Sequence, residues 1–300
     1  MTRPRPTFAF LAAASLVLGA CGGSGGGSSA GDAGKAGINA EVASFDLAVG
    51  PPGRILVGVV SNDQRFLVFG TVQLRFAYLG TKQDTKAAAY GEAVTARFLA
   101  VHGTVPPSPL PSDPQFASGA DLRGVYAAAA GFPKAGFYQV EVTAKVEGKE
   151  RKATAAVAVN EKHSVPAPGD QALATQNLTM TSTDAPKAAV DSRASGTADV
   201  PDAPLHQTTI AAALAAKRPA VVVFATPTYC QSRFCGPVTD LVGDLAKTYA
   251  DRASFIHVEI WRDFQNQTVN RAAADWLLRD GNLNEPWVFV IGADGKIAAR

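Results

Sequence analysis

Cys230 and Cys235 are the residues with the clearest capacity for chemistry. They stand in TPTYCQSRFCGPVTD, Thr226 to Asp240, where an apolar β-branched run gives way to a helical pattern. Two thiols with four residues between them can cycle as a dithiol–disulfide pair, close a small structural loop, or hold a soft metal ion such as Cu(I). Exchange chemistry needs a thiolate, and a helix N-terminus stabilises negative charge there. Gly236 and Pro237 fit an N-cap and first helical position, which would set Cys235 beside free backbone N–H groups.

The third cysteine, Cys21, has a different setting. MTRPRPTFAFLAAASLVLGAC has the parts of a secretory signal: Arg3 and Arg5, an apolar stretch from Phe8 to Leu18, and small residues before the cleavage point. That stretch is well short of the ~20 residues a spanning helix needs. Leu18-Gly19-Ala20-Cys21 resembles the bacterial lipobox, which implies removal of residues 1–20 and lipidation of Cys21. The Gly/Ser-rich residues 21–43 then form a flexible tether with a reach of roughly 20–25 Å. Two or more acyl chains, at ~0.8 kcal/mol per buried methylene, hold a protein stably where one would not. The expected location is the bacterial cell envelope, lipid-anchored on the extracytoplasmic face of the membrane. Disulfides persist there, and Cys230 and Cys235 are the thiols that remain.

Three hundred residues suit two domains of roughly 100–200 residues each. Apolar residues at 47% and charged residues at 18% are globular proportions. The chain carries 28 basic and 26 acidic residues, and losing Arg3 and Arg5 with the leader would bring the two into balance. With no basic stripe, nucleic acid is not an expected partner.

The elements that must position the cysteines change character along the chain. Residues 44–160 read as strands. TVQLRFAY alternates Val72, Leu74, Phe76 and Tyr78 with Thr71, Gln73 and Arg75, and FYQVEVTAKVEG does the same before turning at Gly148 into KATAAVAV. Several short strands without helical stretches between them predict a β-sandwich. Residues 161–205, rich in Pro, Ser, Thr, Asp and Ala with little periodicity, read as a linker. From His206 the period changes. TTIAAALAAK predicts a helix capped by Thr208 or Thr209, and PAVVVFAT a central strand covered on both faces. PVTDLVGDLAKTYA predicts an amphipathic helix, ASFIHVEIW a strand, TVNRAAADWLL a helix, and PWVFVIGADGKIAAR a terminal hairpin. His102 reads as a surface or satisfied histidine, His257 as packing, and His206 as a residue preceding a helix. Trp261, Trp276 and Trp287 read as core or rim residues.

PKAGFYQVEV resembles the Gly-x-Tyr strand start of immunoglobulin-like modules. VVVFATPTYCQSRFCGPVTDLVGDLAKTY, followed by NEPWVFVIGADGKIAA, resembles the thioredoxin fold: cysteines between central strand and helix, Cys-Gly-Pro at 235–237, and Pro286 where that family has its cis-proline. VPAPGDQALATQNLTM is similar to the lead-in segment of redoxin-type domains. This chain departs from the family in its Cys-x4-Cys spacing, in Val223 at the place of the family's buried acid, and in the lack of a closing helix after the last hairpin. Sco-type copper chaperones, a related group, pair two cysteines with a histidine before the late strand; Arg279 to Glu285 contains none.

The expectation is therefore a two-domain lipoprotein. An all-β immunoglobulin-like sandwich (44–160) precedes an α/β thioredoxin-like domain (206–300), the latter without its C-terminal helix. The expected activity is that of an oxidoreductase exchanging thiols and disulfides with extracytoplasmic proteins, with no cofactor. Cys230 would attack and Cys235 resolve, or the reverse, and Pro286 would shape the substrate site. The competing expectations are a non-catalytic binding or scaffold lipoprotein with a structural disulfide, and a copper carrier with Cys230 and Cys235 as metal ligands.

Overall fold

The computed structural model describes residues 37–82, 87–104, 107–117, 122–194, 196, 198–230 and 234–300. The expected leader, Cys21 and most of the tether lie outside the described residues, as do residues 231–233 between the two cysteines.

Ten strands come first: β1 (Ile38–Val42), β2 (Leu47–Ala48), β3 (Gly50–Ser61), β4 (Phe66–Val68), β5 (Thr71–Gly80), β6 (Val94–Ala100), β7 (Gln115–Ala117), β8 (Gly124–Phe132), β9 (Gly136–Val146) and β10 (Lys149–Asn160). They form one sheet in the order β2-β10-β9-β5-β6-β8-β3-β4-β7, with β1 paired to β3. Its pairings are antiparallel except for β10 with β2. Alternation in the sequence becomes alternation in space. β9 buries Tyr138, Val140, Val142, Ala144 and Val146, while Gln139, Glu141, Thr143 and Lys145 face the other way. It turns into β10 through Glu147 and Gly148, whose φ angles of 52° and 76° are the two left-handed positions of a type I′ turn. The core under this sheet includes Ile55, Leu67, Leu74 and Tyr126. The buried Tyr126 hydroxyl donates to the Phe69 carbonyl at 2.8 Å.

The second group of elements is α1 (Ile210–Ala215), β11 (Ala220–Ala225), α2 (Cys235–Tyr249), β12 (Ser254–Glu259), β13 (Trp261–Asp263), β14 (Thr268–Val269), α3 (Arg271–Leu277), β15 (Trp287–Ile291) and β16 (Ile297–Ala299). Four strands form a sheet in the order β12-β11-β15-β16, with β11 parallel to β12 and antiparallel to β15. β13 and β14 form a separate ribbon. β11 is buried on both faces. Val222 and Phe224 pack with Trp276, Phe289 and Ile291, while Val223 and Ala225 pack with Cys235, Val242 and Phe255. That double burial is why its sequence is an unbroken apolar run. Thr209 caps α1, accepting from the Ala212 N–H at 3.0 Å. No helix among the described residues is long and apolar enough to cross a membrane.

This architecture corrects the expected immunoglobulin-like sandwich followed by a thioredoxin-like α/β domain. Of the described residues 41% are strand and 14% helix, built on large sheets that mix parallel and antiparallel pairs. Period-two alternation locates strands but does not say which will join. β3 is 12 residues long and carries β8, β4 and β1 along its length, so strands that would divide between two sheets merge into one. The helical stretches are also shorter than their patterns suggest. α1 has 6 residues and α3 has 7, because β-bridges and turns take the flanking residues.

The segment 161–205, read as a linker, contains two 3-10 turns (Lys187–Ala189, and Ala203–His206 at its end) and an isolated bridge from Gln171 to Lys296. It is packed nonetheless, burying Val165, Ala172, Ala189, Val190 and Leu205. Contacts also join the two groups of elements. Arg300 reaches Asp46 at 2.8 Å, Phe45 meets Trp287 edge-on at 6.5 Å, and His102 Nε2 lies 3.0 Å from Asp244 of α2.

Candidate active site

β11 is clamped between β12 and β15, so the loop leaving its C-terminal end starts from a fixed point. That loop brings Cys230 back to Cys235 at the start of α2, and the two form a disulfide with Cα atoms 6.0 Å apart. Cys235 itself is the first helical residue and Phe234 the N-cap, so Gly236 and Pro237 sit in the first turn rather than at its mouth. Cys235 is fully buried among Val223, Ala225 and Val242, whereas Cys230 is half-buried. The aromatic neighbours lie on the Cys230 side. Tyr229 stacks on Phe264 at 3.9 Å, and Trp261 meets the same ring edge-on at 5.5 Å.

Pro286 follows a cis peptide bond from Glu285, and Glu285 brings an acid to the buried sulfur. One oxygen, Oε2, lies 3.5 Å from Cys235 Sγ and accepts from the Thr226 N–H at 2.7 Å. Burial pushes the Glu285 carboxyl up to about 7; the Thr226 N–H works against that rise and the nearby Glu259 charge adds to it. Glu259, at the end of β12, is buried too, and burial raises it while His257 opposes. Its Oε2 accepts from the Ser192 N–H at 2.9 Å and its Oε1 from the Trp261 N–H at 3.2 Å. Ser192 also reaches the cysteine loop, its hydroxyl accepting from the Thr228 N–H at 3.1 Å.

The structure thus brings Cys230, Cys235 and Pro286 to one corner. It adds two acids that sequence reasoning missed. Val223 does pack beside Cys235, as an apolar residue, and the acid comes from the opposite side on the strand-leading loop. The available signal was the pair Glu285-Pro286 itself, an acid fixed immediately before β15. Trp287 packs rather than lining the cysteines, with Phe289 stacked at 5.8 Å and the Arg300 guanidinium 5.1 Å from its ring. For a soft metal the third group here is wrong: Glu285 offers a hard carboxylate within 4.8 Å of the two sulfurs where a copper carrier would have an imidazole.

What the corner can do follows from its asymmetry. Cys230 is partly exposed and Cys235 is buried, and the buried sulfur touches a carboxyl able to give or take a proton near neutrality. No protein-family model and no curated protein matches the chain.

Proposed function

We propose that this protein is a membrane-anchored, extracytoplasmic thiol–disulfide oxidoreductase acting on envelope proteins, held to the membrane by lipid on Cys21. One observation carries the reading: Glu285, with a carboxyl pushed up to about 7, lies 3.5 Å from the sulfur of the buried Cys235, whose disulfide partner Cys230 is half-buried. The reading rests on the site and does not depend on the fold expected from sequence.

Oxidation of a substrate begins when its thiolate attacks Cys230 Sγ in line with the S–S bond. That bond breaks, a substrate–Cys230 disulfide forms, and the electron pair leaves on Cys235, which takes the proton held by Glu285. A second substrate thiolate attacks the substrate sulfur, releasing the substrate disulfide and a Cys230 thiolate that solvent protonates. Reduction is the reverse. The Cys230 thiolate attacks a substrate disulfide, Glu285 accepts the Cys235 proton, and the resulting thiolate attacks Cys230 to free the substrate dithiol. Cys230 is thus the attacker and Cys235 the resolver, with Pro286 bordering the substrate site.

Trapping tests this. The Cys235→Ser protein accumulates substrate disulfides at Cys230, while Cys230→Ser, with its remaining thiol buried, accumulates none; equal trapping by both would refute the assignment. A second reading, a structural staple, is favoured by the complete burial of Cys235. It is selected instead if the pair's reduction potential lies below roughly −300 mV, the range of inert bridges.

A further inference from the structure

Behind the disulfide corner lies a second polar cluster. Asp191 follows the 3-10 turn at 187–189, His206 ends the turn at 203–206, and His257 comes from the middle of β12; all three are fully buried. His257 Nε2 lies 3.0 Å from the Ala225 carbonyl, an acceptor, so that nitrogen carries the proton and donates it. In a neutral ring the bare Nδ1 lone pair faces Asp191 Oδ2, 3.3 Å away. Two lone pairs cannot bond to each other, so a proton on Nδ1 or a metal ion must stand between them. His206 Nε2 lies 3.4 Å from the same oxygen, and neither of its ring nitrogens has a hydrogen-bond partner among the described residues. Orphaned buried nitrogens of this kind are costly unless a cation stands between the facing atoms.

The spacing also fits a metal ion. Bonds of about 2.0–2.1 Å to histidine nitrogen and carboxylate oxygen at tetrahedral angles put neighbouring donor atoms about 3.3–3.4 Å apart. The two carboxylate–imidazole separations are 3.3 and 3.4 Å, and all three donor atoms lie within 4.8 Å of one another. Two imidazoles and a carboxylate suit Zn(II), a borderline ion bound by nitrogen and oxygen. Further groups orient the donors. The Ala225 carbonyl fixes the His257 tautomer, and the Arg193 side chain grips Asp191 through Nε at 3.0 Å and a terminal nitrogen at 2.8 Å. Arg193's own charge is met by Asp202 at 2.8 Å and Asp240 at 3.6 Å.

We propose that Asp191 Oδ2, His206 Nε2 and His257 Nδ1, with one buried water as fourth ligand, form a structural zinc site that pins the segment 161–205 to the sheet. Because the ligands are sealed from solvent, the ion is taken up as that segment closes, and loading is coupled to folding. The site is independent of the cysteine chemistry.

The test refolds the full chain, disulfide intact, from denaturant with Zn(II) or Co(II) against a competing chromogenic chelator. One equivalent of Zn(II) is expected per chain. The Co(II) form should show tetrahedral d–d absorption without a sulfur-to-metal charge-transfer band. His206→Gln or His257→Gln should weaken binding by at least ~100-fold, since losses in outer-shell groups alone cost roughly 10–100-fold. The double variant Cys230→Ser, Cys235→Ser should bind as the parent does. Absence of uptake by the refolded parent, uptake that survives both histidine variants, or uptake lost with the cysteines would each overturn the proposal. If the histidine variants do not fold, the parent's cobalt spectrum decides alone, through the presence or absence of sulfur-free tetrahedral bands.

Discussion

The smaller sheet carries two polar centres that share neighbours and differ in their access to water. At the disulfide corner, Cys230 is half-buried beside the Tyr229–Phe264 stack, and Glu285 backs the buried Cys235. At the histidine centre nothing is open, and Asp191, His206 and His257 are all sealed. Ser192 stands between them. Its N–H binds Glu259 two residues from His257, and its hydroxyl binds the cysteine loop at Thr228. Exchange chemistry needs a reachable sulfur and a proton store behind it. A resident ion in a closed core is held away from bulk solvent. The difference between the two centres is one of solvent access more than of residue type.

That contrast can be broken most decisively at the open centre. Cys230→Ser should reduce turnover of a disulfide peptide substrate to the uncatalysed background, while histidine substitutions at the sealed centre leave the chemistry of folded molecules intact. Next in size is Glu285→Gln. Positioned proton transfer contributes roughly 10²–10⁴-fold, so the resolving step should slow by about 10²-fold or more. In the oxidative direction, which starts from the disulfide, the parent's advantage over the variant should fall as pH passes through about 7, where Glu285 loses the proton it gives to Cys235. The same shift sets a stability sign. The carboxyl is raised on folding, so the folded state holds its proton more tightly, and the fold loses stability as pH rises from the unfolded value through about 7. Glu285→Gln should therefore melt higher than the parent at pH 8 and match it at pH 4, as thermal unfolding at the two values would show.

Smaller effects sharpen the comparison. Phe264→Ala removes the ring stacked on Tyr229 and should raise KM for protein substrates roughly fivefold at unchanged kcat, in keeping with about 1 kcal/mol for an aromatic contact. Ser192→Ala deletes the hydroxyl between the centres and should cost about 0.5–1.5 kcal/mol in denaturant unfolding, with the disulfide's reduction potential unchanged. A large change in that potential would show the two centres to be one.

The cysteine pair was legible because two thiols beside a helix start form a local pattern, and Pro286 because NEPWVFVIGADGKIAA resembles the thioredoxin segment that carries a cis-proline there. β9 was legible because its alternation survives in the burial of every second residue, whereas in β5 Val72 and Leu74 are buried as expected and burial then shifts to Ala77 and Leu79. Sheet membership was not, since pairing depends on strand length and register between distant segments. Glu285 is a lone acid in a loop and acquires meaning only when α2 arrives beside it. Asp191, His206 and His257 come from three elements far apart in sequence, and two of them fall in or next to a stretch that composition marked as linker. Composition reports the absence of periodicity; it does not report burial, and irregular backbone can pack as closely as a strand does.

The placement of Trp261, Trp276 and Trp287 has a practical consequence. These are the chain's three tryptophans, and all lie beyond residue 206, so the ten-stranded sheet holds tyrosine alone. Indole fluorescence therefore reads the smaller sheet and its surroundings selectively. Trp261 touches Phe264, which covers the residue preceding Cys230, so opening and closing of the bridge should register as a change in emission intensity. The molecule carries its own optical gauge of oxidation state, usable without a label.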